Sequence, residues 1–333
     1  MSELPELVTA LLDPKAYPNP PQKVSLMQTQ MSYVFLADDY VYKTKKPVNF
    51  GFLDYSTLDK RLFYCKKEVE LNRRLCPDAY LGVVPITSQQ GNIVMEGQGE
   101  AIEYAVKMRY LPQEAMMNVL LPENKVTPEM LTAVAVKLAE FHRKAETITK
   151  FGGLDTVIQN TEENFSQTEP YTGNTLTPET FNNIRDYTHR FLDENADLFH
   201  KRVANGMVKD CHGDLHAAHV CFHNGISIYD CIDFNDRFRQ CDIASEIAFL
   251  AMDLDHYGRA DLSRQFVDAY VTQSQDKELL QLLDFYKCYR AYVRGKVEGF
   301  KLFDPYISTE EKARVATIAK DYFLLAESYT KSD

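Results

Sequence analysis

The sequence predicts an α+β protein in two lobes, a small mixed lobe of strands with one long helix followed by a larger helical lobe. Three observations carry that prediction. Residues 24–46 alternate as short strands, a helix signal near residue 56 is followed by more strands up to about residue 110, and beyond Leu111-Pro112 the start signals are helical. The 333-residue length suits roughly two domains at about 150 residues each.

Composition narrows the class. Hydrophobic residues make up 45%, which excludes a disordered chain. Acidic residues outnumber basic ones 48 to 37, for a net charge of −11. That balance argues against nucleic acid as a partner, since phosphates demand a basic footprint. The longest apolar run, Ile247 to Met252, is far short of the ~20 residues that cross a bilayer, so no membrane partner is expected. The opening MSELPELVTALLD lacks the basic start and long apolar stretch of a signal peptide. The seven cysteines include no CxxC pair, which predicts reduced, buried thiols in the cytoplasm.

Along the chain, VSLMQTQ, YVFLA and YVYKTKK read as three strands, ended by Pro47. Ser56, with Asp59 three residues on, reads as the N-cap of a helix running to Leu75, before Pro77. LGVVPI, NIVMEG and IEYAVKMRY add strands, so the small lobe is expected over 1–111 and the helical lobe over 112–333. Thr127-Pro128 starts a helix with an apolar stripe of Leu131, Val134, Leu138 and Phe141. Residues 150–176, rich in Thr, Glu, Asn and Gly, read as an irregular insertion. Thr177-Pro178 repeats the start signal, and Ser308 with Glu311 forms a capping box before the last helix.

One stretch of the helical half, 210–236 (DCHGDLHAAHVCFHNGISIYDCIDFND), is not helical. Asn224-Gly225 between short apolar runs is a strong hairpin signal. Pairing outward from it sets His219 opposite about Asp230, with Asp233 just beyond, so His219 and Asp233 leave the hairpin at one end and can share an ion. Asp214 lies on the loop feeding that end. A carboxylate that orients a hydroxyl, beside ligands for a divalent cation, suits phosphoryl transfer.

His212-Gly213-Asp214-Leu215-His216, followed by Ile232-Asp233-Phe234, resembles the catalytic and metal loops of the aminoglycoside phosphotransferase-like kinases. Tyr40-Val41-Tyr42-Lys43 resembles the family's lysine strand, and Leu138-Ala139-Glu140-Phe141-His142 its "LxxLH" helix. The stretch KKPVNFGFLDYSTLDKR…CKKEVELNRRLCPDAYLGVVPI is similar to a bacterial branch whose members are often fused to a P-loop kinase domain. The chain contains no GxxxxGK[ST], so that domain is expected to be absent. The resemblance implies the two-lobed protein-kinase-like fold shared with choline kinases, a nucleotide-binding small lobe, and transfer of phosphate from ATP to a hydroxyl of a small molecule. It implies Asp214 as catalytic base and Asp233 as metal ligand. His219 stands where the family usually has a metal-binding Asn, which replaces an oxygen ligand by a nitrogen and opens Mn²⁺ beside Mg²⁺. It further implies Lys43 on the nucleotide phosphates, the backbone of Met108–Tyr110 on adenine, and a phosphate-covering loop over 28–32. That loop has no glycine, which leaves backbone N–H groups and the Thr29 or Ser32 hydroxyls to grip phosphate.

The partner of the nucleotide lysine can be argued from helix phase. At about 100° per residue, Glu68 falls in an arc with Leu58, Leu62, Cys65, Val69, Leu71 and Leu75, whereas Glu70 falls among Lys66, Lys67 and Arg74. An unpaired charge in the apolar arc would be expensive, so Glu68 is the inward glutamate. Lys43 and Lys45 share a strand face, and the family pattern favours Lys43.

Rival readings are a pseudokinase, suggested by His219 and the glycine-free loop, and a zinc hydrolase on His212 and His216. His142 reads as a packed helix-end histidine and Asp242 as an N-cap. The acidic balance leans toward a cationic acceptor, though net charge is a weak guide to one pocket.

Overall fold

Strands β1 (Val24–Gln28), β2 (Ser32–Ala37), β3 (Tyr40–Lys45), β4 (Tyr80–Gln89), β5 (Asn92–Met95) and β6 (Ala101–Arg109) form one antiparallel sheet. Their order is β1-β2-β3-β6-β4-β5. The structure, a computed structural model, describes residues 4–303 and 307–331.

Helix α1 (Leu58–Asn72) packs Cys65 and Val69 against Tyr80 and Val106 of the sheet. Its N-cap is Thr57, whose hydroxyl accepts from the Lys60 N–H at 3.3 Å, and not Ser56. Ser56 is held elsewhere, because Asp54 accepts both its hydroxyl and its N–H. A second apolar cluster, with Phe35, Ile86, Met95 and Ala105 at its centre, joins the sheet to the N-terminal residues Val8, Leu11 and Tyr17.

The chain divides into two compact units. One runs to Met116 and takes in His219–Asp236; the other comprises Met117–Ala218 and Arg237 onward. The hairpin β8 (Val220–Cys221) and β9 (Ser227–Ile228) therefore belongs with the sheet. Its backbone explains this: Phe222 N–H donates to Ala115 O at 2.9 Å and Cys231 N–H to Asn72 Oδ1 at 2.9 Å.

The second unit is mostly helical. It contains α2 (Pro128–Lys144), α3 (Leu154–Thr168), α4 (Pro178–Glu194), α5 (Ala196–Ala204), α6 (Ile243–His256), α7 (Ala260–Ser274), α8 (Leu279–Phe300) and α9 (Thr309–Tyr329). Thr127, Thr177 and Ser308 cap α2, α4 and α9 as their sequences predict. Residues 154–168 are helix, not an irregular insertion. Val157, Thr161, Asn164, Phe165 and Thr168 make a buried stripe at helical spacing, although the polar ones among them hide it in a hydrophobicity reading. The core joins Phe165 and Phe181 to Phe249, Tyr292 and Phe323. Strands β7 (Val208–Asp210) and β10 (Gln240–Asp242) pair beside it.

All seven cysteines are unbridged. Among the described residues, no helix is long and apolar enough to cross a membrane.

Candidate active site

In the sheet unit, β3 and α1 build an ion-pair chain. Glu68 is 1% exposed on the inner face of α1, as helix phase predicts. It meets both candidate lysines, since Lys43 Nζ lies 3.0 Å from Oε1 and Lys45 Nζ 2.8 Å from Oε2. Residues two apart on a strand share a face, so one carboxylate can hold both. Burial would raise the Glu68 carboxyl, but the two flanking ammoniums outweigh it and hold the group below its ordinary value.

The lysines part ways at their second partners. Lys45 donates to Asp233 Oδ2 at 2.6 Å and to the Tyr55 hydroxyl at 3.3 Å. Lys45 and Asp233 are 3% and 6% exposed. Burial pushes the Asp233 carboxyl up despite the Lys45 ammonium beside it. Lys43 donates instead to Asp230 Oδ1 at 2.8 Å, and the Asp230 side chain is 43% exposed. Burial opposes the charge on both lysines, but their carboxylates win and hold both ammoniums well above the ordinary lysine range.

The hairpin aims Asp230. Val220 pairs with Ile228, and Tyr229 N–H donates to His219 O at 3.1 Å, so His219 lies opposite Tyr229, one residue short of the expected Asp230. The turn accounts for the slip: Asn224 at φ 51° and Gly225 at φ 109° sit in a connection of odd length, 222–226, instead of a two-residue turn. Asp230 itself has φ 62°, a backbone state uncommon outside glycine. There its Oδ2 lies 3.7 Å from His219 Nε2. Asp233, expected beside His219, is engaged by Lys45 and Tyr55. One nitrogen and one carboxylate oxygen at that separation, on a half-open carboxylate, fit a divalent cation. Asp230 lies two residues beyond the last hairpin strand, whereas the Ile-Asp-Phe match singles out Asp233.

The remaining sheet-unit candidates are mixed. Ser32 is buried, and its N–H donates to Thr29 Oγ1, closing the 28–32 turn on itself. Met108 pairs with both Val41 and Tyr80. The N–H groups of Arg109 and Tyr110 donate to Ala79 O and Asp39 O, each at 2.8 Å.

In the helical unit, the loop 211–217 carries Asp214. Glu246, fully buried on α6, accepts from His212 N–H at 2.8 Å and Gly213 N–H at 2.7 Å. His142 sits between Glu246 and the Tyr270 hydroxyl. Burial would raise Glu246, yet His142, the nearby His212 and the Gly213 N–H hold it down at about 2. Asp253 accepts from Ala217 N–H, and Arg290 donates to Gly213 O at 3.1 Å. Gly213 at φ 86° takes the turn that a side chain would strain. The result is a loop braced at both ends with Asp214 one-third exposed, its Oδ2 3.6 Å from His216 Nε2. His212 Nδ1 accepts from Asp214 N–H, so this histidine braces the loop. Asp242 caps α6 and also takes both arms of the Arg202 fork.

An antiparallel sheet carrying a Lys–Glu pair and a helical unit carrying a braced His-Gly-Asp loop define the kinase-like class. Solved structures share this fold. A choline kinase from Cryptosporidium parvum aligns with TM-score 0.55 at 11% identity, over 97% of this chain and 92% of that one. A putative aminoglycoside phosphotransferase from Ralstonia eutropha aligns with TM-score 0.52 at 10% identity, over 98% of each chain. The profile of the phosphotransferase enzyme family matches residues 82–285, and the chain belongs to that family. Uncharacterized proteins from Mycobacterium tuberculosis and Mycobacterium bovis are 32% identical over 83% of this chain. The chain spans 54% of their length.

Proposed function

We propose that this protein is a small-molecule kinase that transfers phosphate from ATP to a hydroxyl group. The observation that carries the reading is the continuous chain Glu68–Lys43–Asp230–His219, a carboxylate-held lysine running into a nitrogen–oxygen donor pair. In the sheet unit, Lys43 binds the nucleotide phosphates and Glu68 fixes its position. Lys45 and Asp233 hold that pair from beneath. His219 and Asp230 are the residues that would hold Mg²⁺ or Mn²⁺, which supplies charge neutralisation on the phosphates. Asp230 replaces Asp233 as the carboxylate ligand because Asp233 is buried against Lys45. For adenine, Leu111 N–H is a better donor than Tyr110 N–H, which Asp39 O already takes.

In the helical unit, Asp214 orients the acceptor hydroxyl and takes its proton, while Glu246 and Arg290 hold the loop so that the carboxylate need not reorganise. The test is ATP consumption with Mg²⁺ or Mn²⁺ across a panel of hydroxyl metabolites. Asp214→Asn should lower turnover about 10²–10⁴-fold without changing the fold. Wild-type turnover in that variant would remove Asp214 from the mechanism. A pseudokinase reading draws on the closed, glycine-free 28–32 turn, and it predicts ATP binding with no phosphorylated product for any acceptor.

A further inference from the structure

Two carboxylates of α6 hold the N–H groups of the Asp214 loop. Glu246 takes those of His212 and Gly213 at one end, and Asp253 takes that of Ala217 at the other, at 2.8 Å. Seven residues bring a helix almost back to the same angle and advance it about 10 Å, so one face of α6 presents both acceptors. Each carboxylate has its own polar support. Glu246 meets His142, which in turn meets the Tyr270 hydroxyl. Asp253 Oδ1 accepts directly from the Tyr322 hydroxyl of α9 at 3.0 Å.

Asp253 and Tyr322 are both buried. A carboxylate out of water needs donors, and a hydroxyl on one of its oxygens fixes the direction in which the other meets the loop. The Tyr322 ring is itself fixed. His256, three residues after Asp253 and so on the same side of α6, stacks on it with centroids 3.8 Å apart and planes 13° apart. Burial, with the Asp253 carboxylate beside it, pushes the phenol above its ordinary value, so the hydroxyl remains a donor. The Arg294 guanidinium of α8 lies 5.6 Å from the same ring centroid. Burial opposes its charge, but Tyr322, Asp214 and Asp253 outweigh that, so one cation faces both Asp253 and Asp214.

We propose that Tyr322 and Asp253 are positioning residues for Asp214, the last helix setting the loop through the chain Tyr322 hydroxyl–Asp253 carboxylate–Ala217 N–H. The proposal rests on the small-molecule kinase reading and adds two residues that act through the backbone three positions after Asp214. Misplacing a reacting group by about 1 Å can cost on the order of 10²-fold in rate, so a hydroxyl far away in sequence can govern turnover.

The experiment compares the full chain with Tyr322→Phe, Asp253→Ala and Asp253→Asn by amide hydrogen exchange and by steady-state kinetics. In Tyr322→Phe the Ala217 amide should exchange at least about tenfold faster, while the Gly213 amide, held by Glu246, keeps its wild-type rate. With an active acceptor from the hydroxyl panel, kcat should fall about tenfold in Tyr322→Phe and about 10²-fold in Asp253→Ala, with the KM for ATP within about twofold of wild type. Asp253→Asn should recover most of the loss, because its amide can accept from Ala217 N–H and donate to the Tyr322 oxygen. Unchanged Ala217 exchange in Tyr322→Phe, or faster exchange with wild-type kcat, overturns the proposal and leaves the kinase reading intact. Equal acceleration at Gly213 and Ala217 also overturns it, since the whole unit would then be loosened. No transfer by wild type to any acceptor overturns the kinase reading, and Ala217 exchange then still confirms or overturns the hold of Tyr322 on the loop.

Discussion

Lys43 and Lys45 stand on one face of one strand and share one glutamate, yet they occupy different electrostatic worlds. The Lys45–Asp233 pair is almost wholly shielded from water, while Lys43 reaches a carboxylate that is 43% exposed. A buried pair earns little net stability from attraction, because desolvation offsets it, but removing one partner strands a charge. An exposed pair is worth little to the fold and keeps its groups available for a ligand. On the proposed function, the inner pair would serve as structural support and the outer pair as the working surface, although residue type and spacing are the same in both.

Breaking the inner pair gives the largest expected effect. Lys45→Met leaves Glu68 and Asp233 short of a cation and should cost about 3–5 kcal/mol in chemical denaturation. Lys43→Met should cost far less stability and instead weaken ATP binding. Equal destabilisation by the two substitutions would erase the inner–outer distinction.

Glu246 extends the comparison to the helical unit as a buried carboxylate held by neighbours with no exposed counterpart. A carboxyl whose folded value is depressed contributes its stability fully above its unfolded value, ordinarily about 4.5, and loses it as pH falls toward about 2. The loss should be on the order of 3 kcal/mol across that window. Glu246→Gln should flatten the acid limb of the stability–pH curve, and an unchanged limb would place the proton uptake elsewhere.

Asp230→Asn against Asp233→Asn sharpens the metal assignment. The first should lower turnover by about two orders of magnitude, roughly 2.7 kcal/mol of barrier, with an unaltered denaturation midpoint. The second should chiefly shift the midpoint. The reverse pattern would restore Asp233 as the ligand.

Much of this site was legible in the sequence, and the failures have physical causes. Helix phase identified Glu68 because an apolar arc repeats over several turns of α1. Caps at Thr127, Thr177 and Ser308 were legible because each depends on local chemistry alone. The metal-loop motif singles out Asp233 over Asp230 because motif order cannot show which of two nearby carboxylates the fold buries, and the hairpin register differs by one residue from the expected pairing because the turn has odd length. Helix α3 was missed because Thr161, Asn164 and Thr168 bury polar side chains on its inner face.

The smallest expected effect is the most specific. His219 gives the outer site a nitrogen donor 3.7 Å from an Asp230 oxygen. Mg²⁺ is a hard ion that prefers oxygen and a regular octahedral shell, whereas Mn²⁺ accepts imidazole more readily. His219→Asn puts an oxygen donor in its place, so the ratio of Mn²⁺-supported to Mg²⁺-supported turnover should fall several-fold in the variant. Lys45 and Asp233 are engaged with one another, and Asp233→Asn should leave the same ratio unmoved even where it lowers stability. Measuring the ratio, and not the rate, separates a change of ligand from a general loss of folded protein. A ratio that stays constant in His219→Asn and moves in Asp233→Asn would return the metal to the inner pair.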